Sequence, residues 1–246
     1  MKYSEALAII HTATRLGSQL GLERIRRLCG LLGRPQDKLR FVHVAGTNGK
    51  GSTVAMTAAV LQKAGYKTGM FISPFVVDFR ERMQINGQMI PEQELADELE
   101  GMLPHIERMK SEGQEPTEFE IVTALALSWF ARRACDVVVF EVGLGGRFDS
   151  TNVIDAPACA AILSISLDHT NLLGSTTGEI AAEKCGILKR GSRAAIYPLL
   201  PDDARAVVER TCAEKGIVPN TPDLAQLQVL ESGFDGSRIR YKGEEY

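Results

Sequence analysis

Short apolar runs alternate along the chain with longer segments whose hydrophobic residues recur every three or four positions. The runs predict strands at residues 67–72, 136–140, 158–165 and 194–197, after a first strand that starts at Phe41. The longer periods predict helices at 4–16 (capped by Ser4), 22–32, 54–64, 91–110, 121–131, 180–189 and 202–215. A loop at 218–222 and a small antiparallel hairpin of residues 226–230 and 238–241 follow near the C-terminus. This alternation predicts an α/β fold, with a P-loop-type, mostly parallel sheet and helices on both faces.

The composition is that of an ordinary globular chain. The 246 residues are 44% hydrophobic and 24% charged, and the formal net charge of −3 predicts no nucleic-acid partner. No apolar run approaches the roughly 20 residues of a membrane span, so we expect no membrane association. Five scattered cysteines, none in a C-x-x-C pair, indicate reduced thiols and hence a cytoplasmic protein. The length fits one large domain or two small ones, and we expect one, covering residues 1–246.

A glycine-rich stretch lies between the first strand and the third predicted helix. Its candidate nucleotide-binding residues are Thr47, Asn48, Gly49, Lys50, Gly51 and Ser52. Glycines let the backbone approach oxyanions, the amides of a helix N-terminus attract them, and a lysine adds a mobile cation. The spacing departs from the general P-loop pattern, because the first glycine of that pattern would fall on Val44. A glycine-rich turn with a solvated lysine is the alternative, but the flanking strand and helix favour phosphate binding.

Glu141 ends a valine-rich strand and is followed by a second glycine-rich turn. A buried parallel strand that delivers a carboxylate at its carboxyl end is the geometry of an acid that holds Mg²⁺ beside nucleotide phosphates. Lys50 also follows a buried strand, and ligand sites of open α/β sheets form where such strand ends meet. The alternative is an acidic residue that merely leaves the sheet into a turn.

The phosphate loop in this shortened form resembles that of one known family. Gly-Thr-Asn-Gly-Lys-Gly-Ser, residues 46–52, is similar to the ATP loop of folylpolyglutamate synthases and dihydrofolate synthases, members of the Mur ligase superfamily. Four further motifs follow in the family's order: Ser-Pro-Phe at 73–75, Glu-Val-Gly-Leu-Gly-Gly at 141–146, Asp-His-Thr at 168–170 and Glu-Lys-x-Gly-Ile at 183–187. The resemblance covers about residues 21–189 and identifies the chain as an N-terminal, ATP-binding domain of this type.

The resemblance also implies roles that the residues alone leave open. The implied Mg²⁺ ligands are Ser73, Glu141, His169 and Lys184, the last as its carbamate, and the implied catalytic residues are Lys50, His169 and Lys184. The implied substrate-binding residues are Arg82, Thr117 and Phe119. Four of these residues have ordinary alternatives: Ser73 as a turn serine, His169 as a structural histidine, Lys184 as a solvated helix lysine and Thr117, with Glu120, as part of a capping box.

The chemistry that the resemblance implies is ATP-dependent amide formation. ATP with Mg²⁺ would phosphorylate a carboxylate of a folate or dihydropteroate, and the amine of L-glutamate would displace phosphate. Members of the family carry a second domain with an Asp-x-Ala-His-Asn-Pro motif, which this sequence does not contain. We therefore expect the chain to lack part of the glutamate site. The alternatives are a nucleotide-binding module without turnover and an unrelated P-loop kinase or GTPase.

Overall fold

The computed structural model describes residues 1–13, 21–234 and 236–246. The strands are β1 (Phe41–Ala45), β2 (Thr68–Phe71), β3 (Met83–Ile85), β4 (Gln88–Met89), β5 (Val137–Glu141), β6 (Cys159–Ile162), β7 (Arg193–Ile196), β8 (Pro219–Asn220), β9 (Leu227–Gly233), β10 (Gly236–Tyr241) and β11 (Glu244–Glu245). The helices are α1 (Tyr3–Thr12), α2 (Glu23–Leu31), α3 (Lys50–Lys63), α4 (Glu92–Ser111), α5 (Glu118–Arg132), α6 (Thr170–Leu173), α7 (Thr177–Lys184) and α8 (Asp202–Lys215).

Eight strands form one sheet in the order β4-β3-β2-β5-β1-β6-β7-β8. From β2 to β8 along this order, all neighbours are parallel, whereas β3 pairs antiparallel with both β2 and β4 at one edge. In the register, Val44 lies opposite Glu141 and Ala45 lies opposite Ile162. The carboxyl ends of β5, β1 and β6 therefore lie side by side. The predicted α/β class with a mostly parallel sheet is confirmed.

Alternate residues of each central strand face opposite sides of the sheet. On one side, Val44, Val139 and Ala161 pack against Val54 and Ala58 of α3. The other side of the sheet is covered by two separate groups of helices. Helices α1, α2, α4 and α5 pack on one part of it, and helices α7 and α8 pack on the other. Helices on both faces were predicted and are confirmed. On the first side, the described helix that packs against these strands is α3, which starts at the phosphate loop.

Several boundaries differ from the sequence prediction. Helix α3 begins at Lys50 rather than residue 54, because Gly51, Ser52 and Thr53, which are weak helix formers, occupy the first turn, where the flanking loop fixes the backbone. Ser4 does not cap α1: it lies inside the helix, whose N-cap is Lys2. The predicted end of that helix, at residue 16, lies outside the described residues.

Three other predictions also need correction. Pro91 is the N-cap of α4 and not its first helical residue. Helix α7 starts at Thr177, since Thr176 caps it together with Glu179, and ends at Lys184 in a 3₁₀ turn. The strand predicted at 158–165 is β6 alone, so the following residues form a loop.

The C-terminal part is strand-rich. Residues 218–222, predicted as a loop, include β8, which pairs with β7 at the sheet edge, where a proline is tolerated. The predicted terminal hairpin is confirmed as β9 and β10, and β11 adds a third strand to it. Within the described ranges, none of the helices is long and apolar enough to cross a membrane.

Candidate nucleotide and metal site

The loop between β1 and α3 leaves backbone amides free for an anion. Gly49 has φ +80°, a left-handed conformation that favours glycine, and it is the N-cap of α3. A Cβ on Gly46 would lie 2.7 Å from the Leu163 Cβ, so only glycine lets the loop pass this close to the chain that follows β6. The first amides of a helix have no acceptor within the helix. Together with the helix dipole, those of α3 form a site suited to phosphate groups.

Lys50 lies over this loop. Its Nζ donates to the carbonyl oxygens of Gly46 at 3.1 Å and Thr47 at 3.2 Å. Asn48 and Ser52 are exposed, as a ligand-facing loop requires. The hydroxyl of Thr47 instead contacts the backbone of Ser166. The predicted loop residues are thus adjacent, with the cation folded back on the loop.

Glu141 lies beside the start of α3. It is the last residue of β5 and only 4% exposed, and its Oε2 accepts a hydrogen bond from the Ser73 amide at 3.1 Å. A Cβ on Gly51 would lie 3.8 Å from the same oxygen, which places the carboxylate next to the phosphate loop. Burial raises the pKa of Glu141, while the Ser73 amide and the charge of Lys50 act in the opposite direction. A cation at this position would relieve the cost of keeping the carboxylate charged.

Lys184 ends α7 and is also only 4% exposed. Burial lowers the pKa of its ammonium to about 8; the nearby Lys50 charge adds to this effect, and Asp168 and Asp149 oppose it. Among residues the structure describes, none accepts a hydrogen bond from this ammonium. The alternative of a solvated helix lysine does not hold, because Lys184 is buried and the charge of Lys50 acts on it.

His169 is placed differently from Glu141 and Lys184. Its side chain is 57% exposed, its Nε2 lies 3.7 Å from Asp168 Oδ1, and its backbone is left-handed with φ 47°. No three histidine, cysteine or acidic side chains of the described residues converge in an arrangement that could hold a metal ion. The structure brings Ser73 and Glu141 into contact but leaves His169 at the surface.

Arg82, one of the three predicted substrate residues, lies within electrostatic range of Glu118 at the start of α5. The guanidinium carbon of Arg82 lies 5.3 Å from the ring centroid of Phe75 and 5.5 Å from that of Phe79, and burial lowers the pKa of Arg82. Its Nε is buried and has no hydrogen-bond partner within the described part of the chain.

Thr117 and Phe119 lie at the start of α5. Thr117 accepts a hydrogen bond from the Glu120 amide and donates its own amide to Glu120 Oε2, so the predicted capping box is confirmed. The Phe119 ring lies so close to Gly143 that an added Cβ would be 2.6 Å from its Cζ. Phe119 therefore covers the loop that follows Glu141.

The sequence reasoning missed a buried polar network under this loop. Asp149 accepts hydrogen bonds from the Leu144 amide at 2.8 Å, the Thr151 amide at 2.9 Å and the Thr151 hydroxyl. Thr151 Oγ1 in turn lies 2.9 Å from Nε2 of the fully buried His43. Burial raises the pKa of Asp149. The available signal was Asp-Ser-Thr, in which an aspartate bonds the amide two residues later.

A second set of contacts ties the same loop to the end of α7. The Arg147 amide donates to the Glu183 carbonyl at 2.8 Å. The Asn152 side-chain amide donates to the carbonyls of Arg147 at 3.0 Å and Gly186 at 3.3 Å. Lys184 is thereby held in a fixed relation to the loop after Glu141.

Comparisons with known proteins agree with this geometry. The Mur ligase middle domain matches residues 44–218. A Bacillus subtilis dihydrofolate synthase/folylpolyglutamate synthase is 49% identical over 99% of this chain, and the chain covers 57% of that protein. A folylpolyglutamate synthase structure from Thermotoga maritima has a TM-score of 0.89 at 32% identity, covering 99% of this chain and 56% of the other. A complex of FPGS with AMPPCP and folate has a TM-score of 0.88 at 36% identity, covering 100% and 60%.

The chain thus spans little more than half the length of these relatives. The match to the middle domain covers most of the chain and contains the phosphate loop from Val44 onwards, Glu141, His169 and Lys184. The chain belongs to the Mur ligase family, in the group of the folylpolyglutamate and dihydrofolate synthases.

Proposed function

We propose that this chain is the ATP-binding, Mur-ligase-like central domain, residues 1–246, of an ATP-dependent ligase that adds L-glutamate to a folate or dihydropteroate. The observation that carries the proposal is the convergence at one sheet edge of a phosphate loop, Lys50 and a buried carboxylate, Glu141. The relatives named above also support it, since they include a dihydrofolate synthase/folylpolyglutamate synthase and a complex of FPGS with AMPPCP and folate.

Mg²⁺ fits the chemistry of this edge. The buried Glu141 carboxylate, whose pKa is raised by burial, lies next to the phosphate loop and would gain from a cation. Ser73, Glu141, His169 and a carbamylated Lys184 would hold the ions, with His169 moving in from the surface. When bound, Mg²⁺ would neutralise charge on the transferred phosphoryl group.

Carbamylation suits the surroundings of Lys184. Its pKa of about 8 leaves an appreciable fraction as free amine at neutral pH, and only the free amine attacks CO₂. The amine nitrogen bonds to the carbon of CO₂ and loses one proton, which leaves a carbamate anion. Such an anion would face the positive charge of Lys50 and could ligate Mg²⁺, whereas an ammonium could not.

The chain's own residues would bind and orient the reactants. Amides of the phosphate loop and Lys50 would hold the β- and γ-phosphates. A carboxylate oxygen of the folate would attack the γ-phosphorus as the bond to ADP breaks, giving an acyl phosphate. The amine of glutamate would then attack the carbonyl carbon and lose a proton as phosphate leaves. Phe119 and Arg82 would contact the aromatic part of the substrate, since an aromatic ring and a cation flanked by two rings favour a flat, polar ligand.

A steady-state ligase assay tests the proposal. In a protein that carries this domain together with a glutamate-binding domain, we expect ADP and a glutamylated product to form only when ATP, Mg²⁺, L-glutamate and the acceptor are all present, with folate and dihydropteroate assayed separately. The 246-residue chain alone should form no glutamylated product at a useful rate. Lys50→Ala should abolish product formation. Tight ATP binding without product under any acceptor would instead identify a nucleotide-binding module, and phosphorylation of another acceptor would identify a kinase.

A further inference from the structure

Two loops that leave neighbouring strands are hydrogen-bonded through a single hydroxyl. Thr47 Oγ1 donates to the Ser166 carbonyl at 3.2 Å and accepts from the Ser166 amide at 3.2 Å. The Thr47 amide also donates to the Ser164 carbonyl at 2.7 Å. Thr47 lies in the phosphate loop after β1, and Ser166 lies in the loop after β6.

Two other contacts join the same loops. The Ser164 hydroxyl donates to the Asn48 carbonyl at 3.3 Å. Leu163 packs against Gly46, where even a Cβ would come within 2.7 Å. Asp168, whose charge acts on Lys184, and His169 follow Ser166 by only two and three residues. Any shift of the phosphate loop is therefore passed on to the segment that carries His169.

We propose that Thr47 is a positioning residue that couples phosphate binding to the placement of Asp168 and His169. This inference rests on the proposed function, because it takes the loop to bind nucleotide phosphates. The Thr47 hydroxyl uses both its donor and its acceptor on Ser166, so it is not a phosphate ligand. Ser166 takes part through its backbone amide and carbonyl, so this contact does not need its hydroxyl.

The direct alternative is that Thr47 Oγ1 contacts the phosphates. The two roles differ in what Thr47→Val does to nucleotide affinity. A direct contact is lost whether or not Mg²⁺ is present. If Thr47 is instead a positioning residue, Thr47→Val lowers only the gain in nucleotide affinity that Mg²⁺ provides, because that gain needs His169 in place.

Calorimetric titration with AMPPCP, in EDTA and in Mg²⁺, separates these roles. For the wild type we expect Mg²⁺ to increase affinity. For Thr47→Val we expect this gain to fall by about 5- to 150-fold, the range that corresponds to the loss of two neutral hydrogen bonds. Affinity in EDTA should stay within two-fold of the wild type. Thr47→Ser, which keeps the hydroxyl, and Ser166→Ala, which keeps the backbone, should both behave like the wild type.

Hydrogen exchange on the same proteins gives an independent readout. AMPPCP without metal should slow exchange of the amides of residues 164–169 in the wild type, Thr47→Ser and Ser166→Ala, but not in Thr47→Val. An equal loss of affinity with and without Mg²⁺, or an unchanged Mg²⁺ gain in Thr47→Val, overturns the inference. If Thr47→Val does not fold, absence of protection at 164–169 in the wild type overturns it by itself. Failure of the wild type to bind AMPPCP at all is the separate result that overturns the proposed function.

Discussion

The loops that follow β5 and β6 leave the same sheet edge but are held in opposite ways. Three side chains hold the loop after β5. Asp149 accepts a hydrogen bond from the Leu144 amide, Asn152 donates to the Arg147 carbonyl, and the Phe119 ring packs against Gly143. The loop after β6 is largely exposed from Ser166 to His169, and Thr47 provides its main polar anchor. The half of the candidate site around Glu141 is therefore rigid before a ligand binds, whereas the half around His169 can still move.

This difference explains why the residues proposed to hold Mg²⁺ are placed so differently. Glu141 is buried and in hydrogen-bonding contact with the Ser73 amide, whereas His169 is at the surface. Asp149 and Asn152 bond several backbone groups of the first loop, so a change there leaves buried amides or carbonyls without partners, and this loop tolerates little change. An exposed loop can move toward a ligand at small cost. We expect binding to rearrange the His169 side of the site and not the Glu141 side.

The largest effect on stability is expected from Asp149→Ala. Removing this buried acceptor leaves the amides of Leu144 and Thr151 without partners, and we expect a loss of about 3–5 kcal/mol in the free energy of unfolding. Urea denaturation measures it. Asp168→Ala is the matched control in the exposed loop and should cost less than about 0.5 kcal/mol. Equal losses in the two variants would contradict the contrast between the loops.

Burial of His43, beneath the rigid half of the site, should make the stability of the fold depend on pH. Burial, with the charge of Lys189, lowers the pKa of His43 from 6.5 to about 3. The unfolded chain therefore binds a proton between these values that the folded chain does not, so stability falls as pH falls below 6.5. Between pH 7 and pH 5 this residue should remove about 2 kcal/mol.

Denaturation of the wild type and His43→Gln at both pH values isolates that contribution. The raised pKa of the neighbouring Asp149 acts in the opposite direction, but it is common to both proteins. The difference in stability between pH 7 and pH 5 should be about 2 kcal/mol larger for the wild type. Parallel pH dependences would show that His43 does not stay neutral in the fold.

The capping box of α5 predicts a smaller effect. Thr117→Ala should cost about 1 kcal/mol, because the Glu120 amide loses its acceptor, and Thr117→Ser should restore most of it. Thermal denaturation measures the loss. A wild-type stability for Thr117→Ala, together with a raised KM for the folate-type substrate, would assign Thr117 to substrate binding instead.

The smallest change in stability is expected from His169→Ala. Its exposed side chain contacts only Asp168 among the side chains of described residues, so unfolding should shift by less than about 0.5 kcal/mol. Mg²⁺-dependent affinity for AMPPCP should nevertheless fall. If the affinity is unchanged, His169 does not take part in the metal site.

Much of the fold followed from the sequence, because strand and helix periods, glycine turns and caps are local signals. Glu141 and Lys50 were predicted to meet because parallel strands end at a common edge, and the structure places Glu141 beside the start of α3. The burial of Lys184 could not be predicted from the sequence, since the local sequence at the end of α7 does not show which residues pack against it. The role of His43 was missed because its partner, Thr151, lies more than a hundred positions away in the sequence. The role of Asp149 was missed because it depends on how the loop after β5 folds.

Binding of AMPPCP by the wild type and by Lys50→Ala tests the central claim most directly. Within the described part of the chain, Lys50 donates to two carbonyls of its own loop. Its removal should therefore leave the thermal midpoint within 2 °C, about the shift from a few tenths of a kcal/mol. Loss of charge-assisted bonds to phosphate should weaken binding about 10- to 150-fold. Lys63→Ala, at the far end of α3, is the control and should bind like the wild type. Equal affinities for the wild type and Lys50→Ala would contradict the assignment of this loop as the phosphate site.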